Sequence, residues 1–221
     1  MILLIWGILI CNSHPNAKNP RKRGKLFMKI IGLNGSPNKN GNTYFLLNEI
    51  GKIIKSEGVE FEIFNLNDAL LRLNVPFCVA CTSPCNQSCY NGSEFKEIAD
   101  KMVAADGIIF GSPVYFGSMS GQLKCFFDKM RFYRAEKSFF RKPAAVVTVG
   151  ASKYGGQETT TRAIHDSMLI LGMQIINNGY TDSDCGHFGV NSQKPAENDQ
   201  FAYAKLTALA KRMLLELQER F

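Results

Sequence analysis

Residues 107–122 read Gly-Ile-Ile-Phe-Gly-Ser-Pro-Val-Tyr-Phe-Gly-Ser-Met-Ser-Gly-Gln, and their pattern is the most informative one in the chain about its fold class. The apolar run at its start is typical of a buried strand, and a helical pattern follows at 123–132. The loop between strand and helix carries Tyr115 and Phe116 among small residues. Open parallel sheets bind ligands in such loops, outside the carboxyl ends of the strands. The stretch therefore predicts either a site for a planar ligand or an ordinary connection whose aromatic rings face the core.

The same alternation of strand and helix continues on both sides of this stretch. Apolar or alternating segments predict strands, and the amphipathic segments between them predict helices. The predicted strands are 29–34, 59–65, 107–110, 144–149 and 173–176, and the predicted helices are 43–55, 94–104 (capped by Ser93), 123–132, 158–171 and 202–217. This α/β pattern predicts a flavodoxin-like three-layer sandwich around a parallel five-stranded sheet of order 2-1-3-4-5. Residues 66–93 are predicted to be irregular and, because of their length, functional.

The excess of positive charge is confined to the N-terminal region. The chain of 221 residues has a formal net charge of +7. Residues 1–27 hold five basic residues and no acidic one, so the remaining 21 basic and 19 acidic residues leave the rest of the chain nearly neutral. A groove for nucleic acid is therefore not expected.

The apolar segment at residues 1–10 is too short to span a bilayer. It also lacks the basic start and the small-residue cleavage site of a signal peptide. We therefore expect no membrane association, and we interpret residues 1–27 as an extension before a working start at Met28, with one domain at 28–221. The seven cysteines are odd in number and four are clustered, which is a poor disulfide framework and favours a reducing, cytoplasmic location.

The first predicted strand ends in a loop suited to a phosphate group. Residues 35–43 read Gly-Ser-Pro-Asn-Lys-Asn-Gly-Asn-Thr and run directly into a helix. Backbone N–H groups at a helix N-terminus attract anions, and Ser36, Asn42 and Thr43 add neutral donors. A Walker A loop is excluded because Asn-Thr, rather than Lys-Ser or Lys-Thr, follows Gly41. The loop therefore predicts a site for a single terminal phosphate, with an N-capped helix after a turn as the alternative.

The fourth predicted strand ends in a third loop, residues 149–158, in which three glycines surround Tyr154. Glycines allow the backbone to approach a ring closely, although such a segment alone is as often a flexible turn. Together the three loops would hold a phosphate at one end and a flat heterocycle at the other. FMN has that shape.

Two of these loops resemble those of a known family. The sequence at 35–43, together with Gly-Ser-Pro-Val-Tyr-Phe-Gly-Ser-Met-Ser-Gly-Gln-Leu-Lys at 111–124, resembles NAD(P)H-dependent FMN reductases and iron–sulfur flavoproteins. The resemblance implies a flavodoxin-like fold, bound FMN and assembly as a homodimer or homotetramer. It assigns the phosphate to Ser36, Asn38, Asn42 and Thr43, and the isoalloxazine ring to Pro113, Val114, Tyr115, Phe116, Gly117, Tyr154 and Gly155.

Residues 155–160, Gly-Gly-Gln-Glu-Thr-Thr, also resemble the tryptophan-repressor-binding type of NAD(P)H:quinone oxidoreductase. Those enzymes carry histidines before the Gly-Met that ends the fourth helix, whereas Leu171 stands there in this chain. The resemblances imply an oxidoreductase that accepts hydride from NADPH or NADH at FMN and passes electrons to a second, unknown acceptor. The alternative is an electron carrier or redox sensor without NAD(P)H turnover. FMN carries the chemistry, so no side chain is predicted as a general acid or base.

Four cysteines lie within twelve residues after the second predicted strand: Cys78, Cys81, Cys85 and Cys89. Compact runs of this kind are typical of iron–sulfur ligation, whereas structural zinc sites usually pair two Cys-x-x-Cys halves across a longer gap. Iron–sulfur flavoproteins carry a compact run here with two residues between the second and third cysteines, and this chain has three. The run predicts the ligands of a 4Fe–4S cluster, with redox-active thiols, structural packing and zinc as alternatives.

One histidine and four basic residues are secondary candidates. His187 is predicted near the strand ends, where it would contact the flavin or a partner subunit. Lys124, Lys129, Arg131 and Arg134 follow the aromatic loop. These four either attract a dinucleotide phosphate or form an ordinary solvated helix face, and the second interpretation is favoured.

Overall fold

The apolar runs predicted as strands pair into one parallel sheet. The computed structural model describes residues 28–220. Its strands are β1 (Lys29–Asn34), β2 (Glu60–Asn65), β3 (Gly107–Pro113), β4 (Pro143–Gly150), β5 (Gln174–Ile175) and β6 (Val190–Gln193). The order β2-β1-β3-β4-β5 confirms the predicted topology. The prediction that residues 1–27 are an extension lies outside the described residues.

The fifth position of the sheet is divided between two strands. β5 pairs with residues 143–144 at the start of β4, and β6 pairs with residues 147–150 at its end. β3 occupies the opposite edge of β4. The sheet therefore has a sixth strand where the sequence predicted five, because residues 177–189 leave the sheet edge and return to it. Residues 190–193 carry only one apolar side chain, Val190, and so lack the pattern of a buried strand.

Helices cover both faces of this sheet. Within residues 28–220 they are α1 (Asn42–Ser56), α2 (Leu66–Leu71), α3 (Glu94–Ala104), α4 (Gly121–Asp128), α5 (Arg131–Ala135), α6 (Gln157–Ile170) and α7 (Gln200–Gln218), with a short 3-10 turn at Ala196–Asn198. In this part of the chain, no helix has the length and apolar character that crossing a membrane requires.

Two of these helices occupy the stretch predicted as a single helix over 123–132. α4 ends at Asp128, and a turn at Lys129 separates it from α5. The N–H of Lys129 is shared between the carbonyls of Cys125 and Phe126, which tightens the last turn of α4. The prediction of one continuous helix is therefore wrong, although the helical character of the stretch is correct.

The segment predicted to be irregular contains one helix. Leu66, Ala69 and Leu70 of α2 are buried, and their spacing of three and four residues is typical of a helix. Residues 72–93 then contain neither helix nor strand, as predicted. Ser93 caps α3 as predicted, because its hydroxyl accepts a hydrogen bond from the N–H of the third helical residue.

Two apolar clusters make the sheet the middle layer of a three-layer sandwich. Successive residues of β1 alternate between them. Ile31 and Leu33 pack in the cluster formed with α2, α3, α4 and α6, whereas Ile30 packs in the cluster formed with α1 and α7. Because the strands are parallel, the carboxyl ends of β1, β3 and β4 lie at one edge. The loops predicted to bind a ligand follow those three ends.

Candidate functional site

The loops that follow β1 and β3 are tied together through their backbones. The N–H of Gly35 donates to the carbonyl of Gly111 at 2.9 Å, and the hydroxyl of Ser120 donates to the carbonyl of Gly35 at 2.6 Å. A Cβ atom on Gly35 would lie 2.8 Å from the Cβ of Leu123 and 2.9 Å from the Gly111 carbonyl oxygen. Only glycine fits this approach, so the two loops form one unit at the carboxyl edge of the sheet.

The N-terminus of α1, which follows the first loop, has no capping side chain. The N-cap residue is Gly41, which has no side chain that could accept a hydrogen bond from the first N–H groups of the helix. The first turn also carries no acidic residue. By contrast, α3, α4 and α7 are capped by the side chains of Ser93, Ser120 and Asp199. The first N–H groups of a helix carry partial positive charge. The start of α1 is therefore favourable for an anion such as a phosphate.

Two of the residues predicted to bind the phosphate shape the first loop with their oxygens. The Ser36 hydroxyl oxygen accepts from the N–H of Asn38, and the Asn38 amide oxygen accepts from the N–H of Asn40, each at 3.1 Å. Within the described part of the chain, the hydroxyl proton of Ser36 and the amide protons of Asn38 have no acceptor. These donors are available to a ligand.

The other two predicted phosphate residues make structural contacts. The Asn42 amide oxygen accepts from the N–H of Ala196 at 2.7 Å, which fastens the first loop to the turn before α7. Thr43 is buried, and its methyl group faces Gly111, where an added Cβ would lie 2.9 Å away. Both residues therefore hold the helix start in place, whatever they contribute to a ligand.

Asn34, the last residue of β1, supports the loop and was not among the predicted residues. Its fully buried amide oxygen accepts from the N–H of Ser36 at 3.1 Å. Its amide group donates to the amide oxygen of Asn65 at 2.8 Å, and the two residues are register partners at the ends of β1 and β2. The sequence does show an asparagine at the end of each predicted strand. That these two asparagines are hydrogen-bonded can be inferred only once the two strands are known to pair in this register.

The loop after β3 turns sharply and presents its aromatic side chains to solvent. Tyr115 and Ser118 exchange both backbone hydrogen bonds, at 2.9 and 3.0 Å. Between them φ is +50° at Phe116 and +70° at Gly117, the pattern of a type I′ turn. A bulky residue at positive φ is strained. The Phe116 ring is fully exposed and Tyr115 is 45% exposed, so the interpretation with core-facing aromatic rings is wrong.

The loop after β4 packs against this aromatic turn. Gly156 has a φ of +90°, and a Cβ on it would lie 3.1 Å from the Cα of Gly117 and 3.4 Å from Cγ1 of Val114. The N–H of Val114 also donates to the carbonyl of Val149 at 2.9 Å. Tyr154, in the same loop, is 91% exposed. All three loops therefore meet at one edge of the sheet.

A cavity of about 830 Å³ opens beside the third loop. It lies between that loop, residues 178–193 and the start of α7, and its volume is typical of small-molecule pockets. His187 lines it and is exposed. Two further residues were predicted to contact the isoalloxazine ring. Pro113 is the last residue of β3. Gly155 lies in the third loop, where its N–H donates to the carbonyl of Ser152 at 3.2 Å.

The cysteine segment, residues 78–89, lies in the irregular chain after α2. Cys81 and Cys89 are exposed, whereas Cys78 and Cys85 are half-buried. The N–H of Ala80, a residue with a φ of +50°, donates to the Cys78 sulfur at 3.4 Å. Across residues 28–220, no three His, Cys, Asp or Glu side chains converge as a metal-binding group. The four thiols would therefore have to move closer together to bind one cluster.

Two buried polar side chains lie behind the cysteine segment. Lys129 is only 2% exposed, so its interpretation as part of a solvated helix face is wrong. Its Nζ lies 3.7 Å from the Sγ of Cys89. Tyr90 is also 2% exposed, and its hydroxyl finds no hydrogen-bond partner among the described residues. Burial raises the pKa of the Tyr90 phenol, so its hydroxyl keeps its proton at neutral pH.

The chain is similar in sequence to a reductase family and to proteins named iron–sulfur flavoproteins. The family model for NADPH-dependent FMN reductase matches residues 28–187. An iron–sulfur flavoprotein of Methanocaldococcus jannaschii is 38% identical over 189 residues, which cover 84% of this chain and 95% of that protein. An iron–sulfur flavoprotein of Methanosarcina thermophila is 35% identical over 198 residues, which cover 87% of this chain and 98% of that protein.

The fold is similar to that of solved flavodoxin-like proteins. A flavodoxin, WrbA-like protein from Agrobacterium tumefaciens aligns with a TM-score of 0.64 at 14% identity, over 88% of this chain and 99% of that one. At this identity the likeness concerns the fold alone. The family match, by contrast, is a match of sequence that spans well over half of the chain and includes all three loops. The chain therefore belongs to the NADPH-dependent FMN reductase family.

Proposed function

We propose that this chain is an FMN-dependent oxidoreductase that takes hydride from NADPH or NADH and passes the electrons to a second acceptor. The observation that carries the proposal is the meeting of three loops at one edge of the sheet. An uncapped helix N-terminus lies in this group of loops together with exposed aromatic rings. Family membership supports flavin chemistry. Bound FMN would supply the ring that accepts hydride, and the protein would bind, orient and tune that ring.

The first loop fits the phosphate end of FMN. The start of α1 offers backbone N–H groups, with no carboxylate in its first turn to repel an anion. The hydroxyl of Ser36 and the amide of Asn38 add donors, while Asn42 and Thr43 fix the helix start. The lack of space for a Cβ on Gly35 keeps the first loop in direct contact with the second.

The second and third loops fit the isoalloxazine ring. We assign Pro113–Gly117 to one side of the ring and Tyr154–Gly155 to the other. Contact between the two loops at Gly156 keeps them together, and the exposed Tyr115 and Phe116 provide the apolar surface on which a nicotinamide ring would stack. The cavity of about 830 Å³ beside the third loop gives room for a second substrate.

We further propose that Cys78, Cys81, Cys85 and Cys89 hold a 4Fe–4S cluster on the route to the second acceptor. Four thiols in a compact run are a suitable donor set. The N–H of Ala80 already donates to one sulfur, and the buried Tyr90 hydroxyl, which has no partner in the described chain, fits an electron-rich neighbour. The similarity to proteins named iron–sulfur flavoproteins supports the same assignment. Movement of this irregular segment would bring the thiols together on metal binding.

We also propose a homodimer or homotetramer in the cytoplasm. Exposed apolar side chains that cluster at one rim often mark interaction sites, and Tyr115, Phe116 and Tyr154 are exposed in the loops at the carboxyl edge of the sheet. Light scattering at micromolar concentration tests the assembly. A mass of two or four chains is expected, and a monomer with and without FMN contradicts it.

Anaerobic mixing of the FMN-loaded protein with NADPH and, separately, with NADH tests the reductase function. The flavin absorption band is expected to bleach with at least one of them, at a rate that saturates with nucleotide concentration. Photoreduction of the same sample is the control, because it shows that the bound flavin is reducible. If neither nucleotide bleaches a reducible flavin, the protein is an electron carrier or redox sensor instead.

A further inference from the structure

We infer that Lys129 is a positioning residue whose ammonium group raises the reduction potential of an iron–sulfur cluster held by Cys89, with the Tyr90 hydroxyl as a second donor. The inference rests on the proposed function, because it requires the cluster to be present. It concerns residues outside the cysteine run that contact the segment from the protein interior.

The burial of Lys129 is the first observation. Its side chain is 2% exposed, and its Nζ lies 3.7 Å from the Sγ of Cys89. Among the described residues no carboxylate pairs with it, whereas Lys124, on the exposed face of the preceding helix α4, pairs with Asp128 at 2.6 Å. An ammonium group removed from water without a negative partner is strongly unfavourable. The sulfur of Cys89 is the group in position to supply that negative charge.

The Tyr90 hydroxyl is the second, independent observation. Tyr90 follows Cys89 directly, and its ring packs on Phe95 at 4.9 Å, which in turn packs on Phe126 of α4 at 5.2 Å. The ring is thereby fixed in the core next to the cysteine segment. Its hydroxyl is buried and has no partner in the described chain, although buried hydroxyl groups are nearly always hydrogen-bonded. A sulfur of a bound cluster would be an acceptor for this proton.

The direction of the effect follows from the charges. Reduction adds one electron to the cluster, so a nearby positive charge stabilises the reduced form more than the oxidised form. Low local dielectric strengthens that interaction, and the site of Lys129 is buried. Hydrogen bonds to the sulfurs act in the same direction. Lys129 and Tyr90 are therefore both expected to raise the potential, the full charge of Lys129 by more.

The position of Lys129 also connects the two sites. It directly follows α4, and α4 begins at the end of the aromatic loop assigned to the flavin. Eight helical residues span about 12 Å. The charge is therefore held at the end of α4 opposite the aromatic loop, beside the cysteine segment.

Redox titration of Lys129→Met, followed by the cluster absorption, tests the inference. Methionine has a similar length and no charge, so the core is retained, and flavin content checks the fold. Lys124→Met is the matched control, because it removes the same charge from the exposed face of α4, the helix that Lys129 follows. At the wild-type midpoint, we expect Lys129→Met to raise the ratio of oxidised to reduced cluster about tenfold, which is about 59 mV for one electron. Lys124→Met is expected to leave the ratio unchanged.

The outcomes separate this inference from the proposed function. Wild-type protein without iron and sulfide overturns the cluster itself, and the role of Lys129 with it. If the wild type and Lys129→Met contain the same amount of cluster with the same reduction potential, the role of Lys129 is overturned and the proposed cluster stands. Loss of the cluster from Lys129→Met, with flavin retained and the Lys124→Met cluster intact, would show that the charge is needed to hold the cluster and would overturn its role as a residue that only adjusts the potential. Tyr90→Phe is expected to lower the potential by less than Lys129→Met, and a rise would contradict the role of the hydroxyl.

Discussion

The sheet edge proposed to bind the flavin and the cysteine segment are held by different kinds of contact. At the edge, backbone hydrogen bonds join residues far apart in sequence, such as Gly35 with Gly111 and Val114 with Val149. In the cysteine segment, the side-chain hydrogen bonds of residues such as Thr82 join positions only two to four residues apart, and the Lys129–Cys89 contact is the long-range exception. One site is fixed by the sheet, whereas the other lies on irregular chain that is anchored mainly by the buried ring of Tyr90 and by the Lys129–Cys89 contact.

This difference indicates how each site would acquire its ligand. A site whose backbone is already in place loses little conformational freedom on binding, so its ligand needs few charged contacts. A thiol site gains its geometry when the metal binds, because the ligands rarely converge beforehand. We therefore expect FMN binding to be independent of iron, and iron binding to depend on the individual cysteines.

Removal of one cysteine is expected to have the largest effect. Cys78→Ser deletes a thiol of the run and replaces it with a hydroxyl group of similar size, so iron per chain should fall at least about tenfold while FMN per chain is unchanged. Iron, sulfide and flavin analysis measures both. Cys185→Ser, an exposed cysteine outside the run, is the control and should retain iron. Loss of flavin together with iron would show that the two sites are not independent.

A Cβ at the closest approach of the flavin loops is expected to have the next largest effect. Gly35→Ala would collide with Leu123 and with the Gly111 carbonyl, so the first two loops must separate. Overpacking of this kind costs up to about 3 kcal/mol. Because FMN binding has to bring the separated loops together again, this cost is expected to lower the FMN affinity by about 100-fold. Titration of FMN fluorescence measures it. Gly121→Ala is the matched control, because no atom lies within 4 Å of its Cβ; equal affinities would contradict the tight contact.

Loss of one phosphate donor is expected to have a smaller effect that depends on the ligand. Ser36→Ala removes the hydroxyl proton available to the phosphate, and one hydrogen bond to a charged group is worth about 1.5 kcal/mol, or about tenfold in affinity. Riboflavin, which lacks the phosphate, should bind the variant and the wild type equally. Ser56→Ala, at the far end of α1, serves as the control. An equal loss for both ligands would place Ser36 away from the phosphate.

Relief of the strained turn at Phe116 is expected to have the smallest effect of the four substitutions. Unlike the others, it is expected to be favourable, because it should raise the stability of the protein. Phe116 occupies the first central position of a type I′ turn, where Asn before Gly is favoured. Phe116→Asn should raise the free energy of unfolding by about 1 kcal/mol, since left-handed backbone is unfavourable for a bulky residue. Denaturant unfolding measures the gain, and the KM for NADPH should rise because the ring is lost. A variant that is less stable would show that the exposed ring contributes packing in solution.

The sheet order and the three loops could be predicted because buried parallel strands read as apolar runs. Every residue of β4 is buried, for example, and the run is visible in the sequence. β6 could not be predicted in this way. Its Ser192 is buried through a hydrogen bond to Asp199 rather than through apolar packing, and that partner lies outside the strand.

The details of the sites depended on contacts that the sequence does not reveal. Lys129 is buried because it packs against the cysteine segment, and its contact there, Cys89, lies 40 positions earlier in the chain. The basic residues near Lys129 in sequence give no sign of this contact, so a solvated helix face was predicted. The turn at Phe116 and Gly117 lacks the Asn-Gly signature of its type, so the sequence left a ligand site and core-facing rings as alternatives and did not predict the sharp turn that exposes Phe116. Asn34 and Asn65 become a pair only through the register of β1 and β2.

The most direct test of the central claim is an anaerobic absorption spectrum of the purified protein, with flavin, iron and sulfide determined on the same sample before and after iron chelation. We predict about one FMN and about four iron atoms per chain, with the flavin bands unchanged after the iron is removed. Flavin without iron would overturn the cluster. Protein that binds no FMN, or that loses it with the iron, would contradict a flavin site built by the three loops.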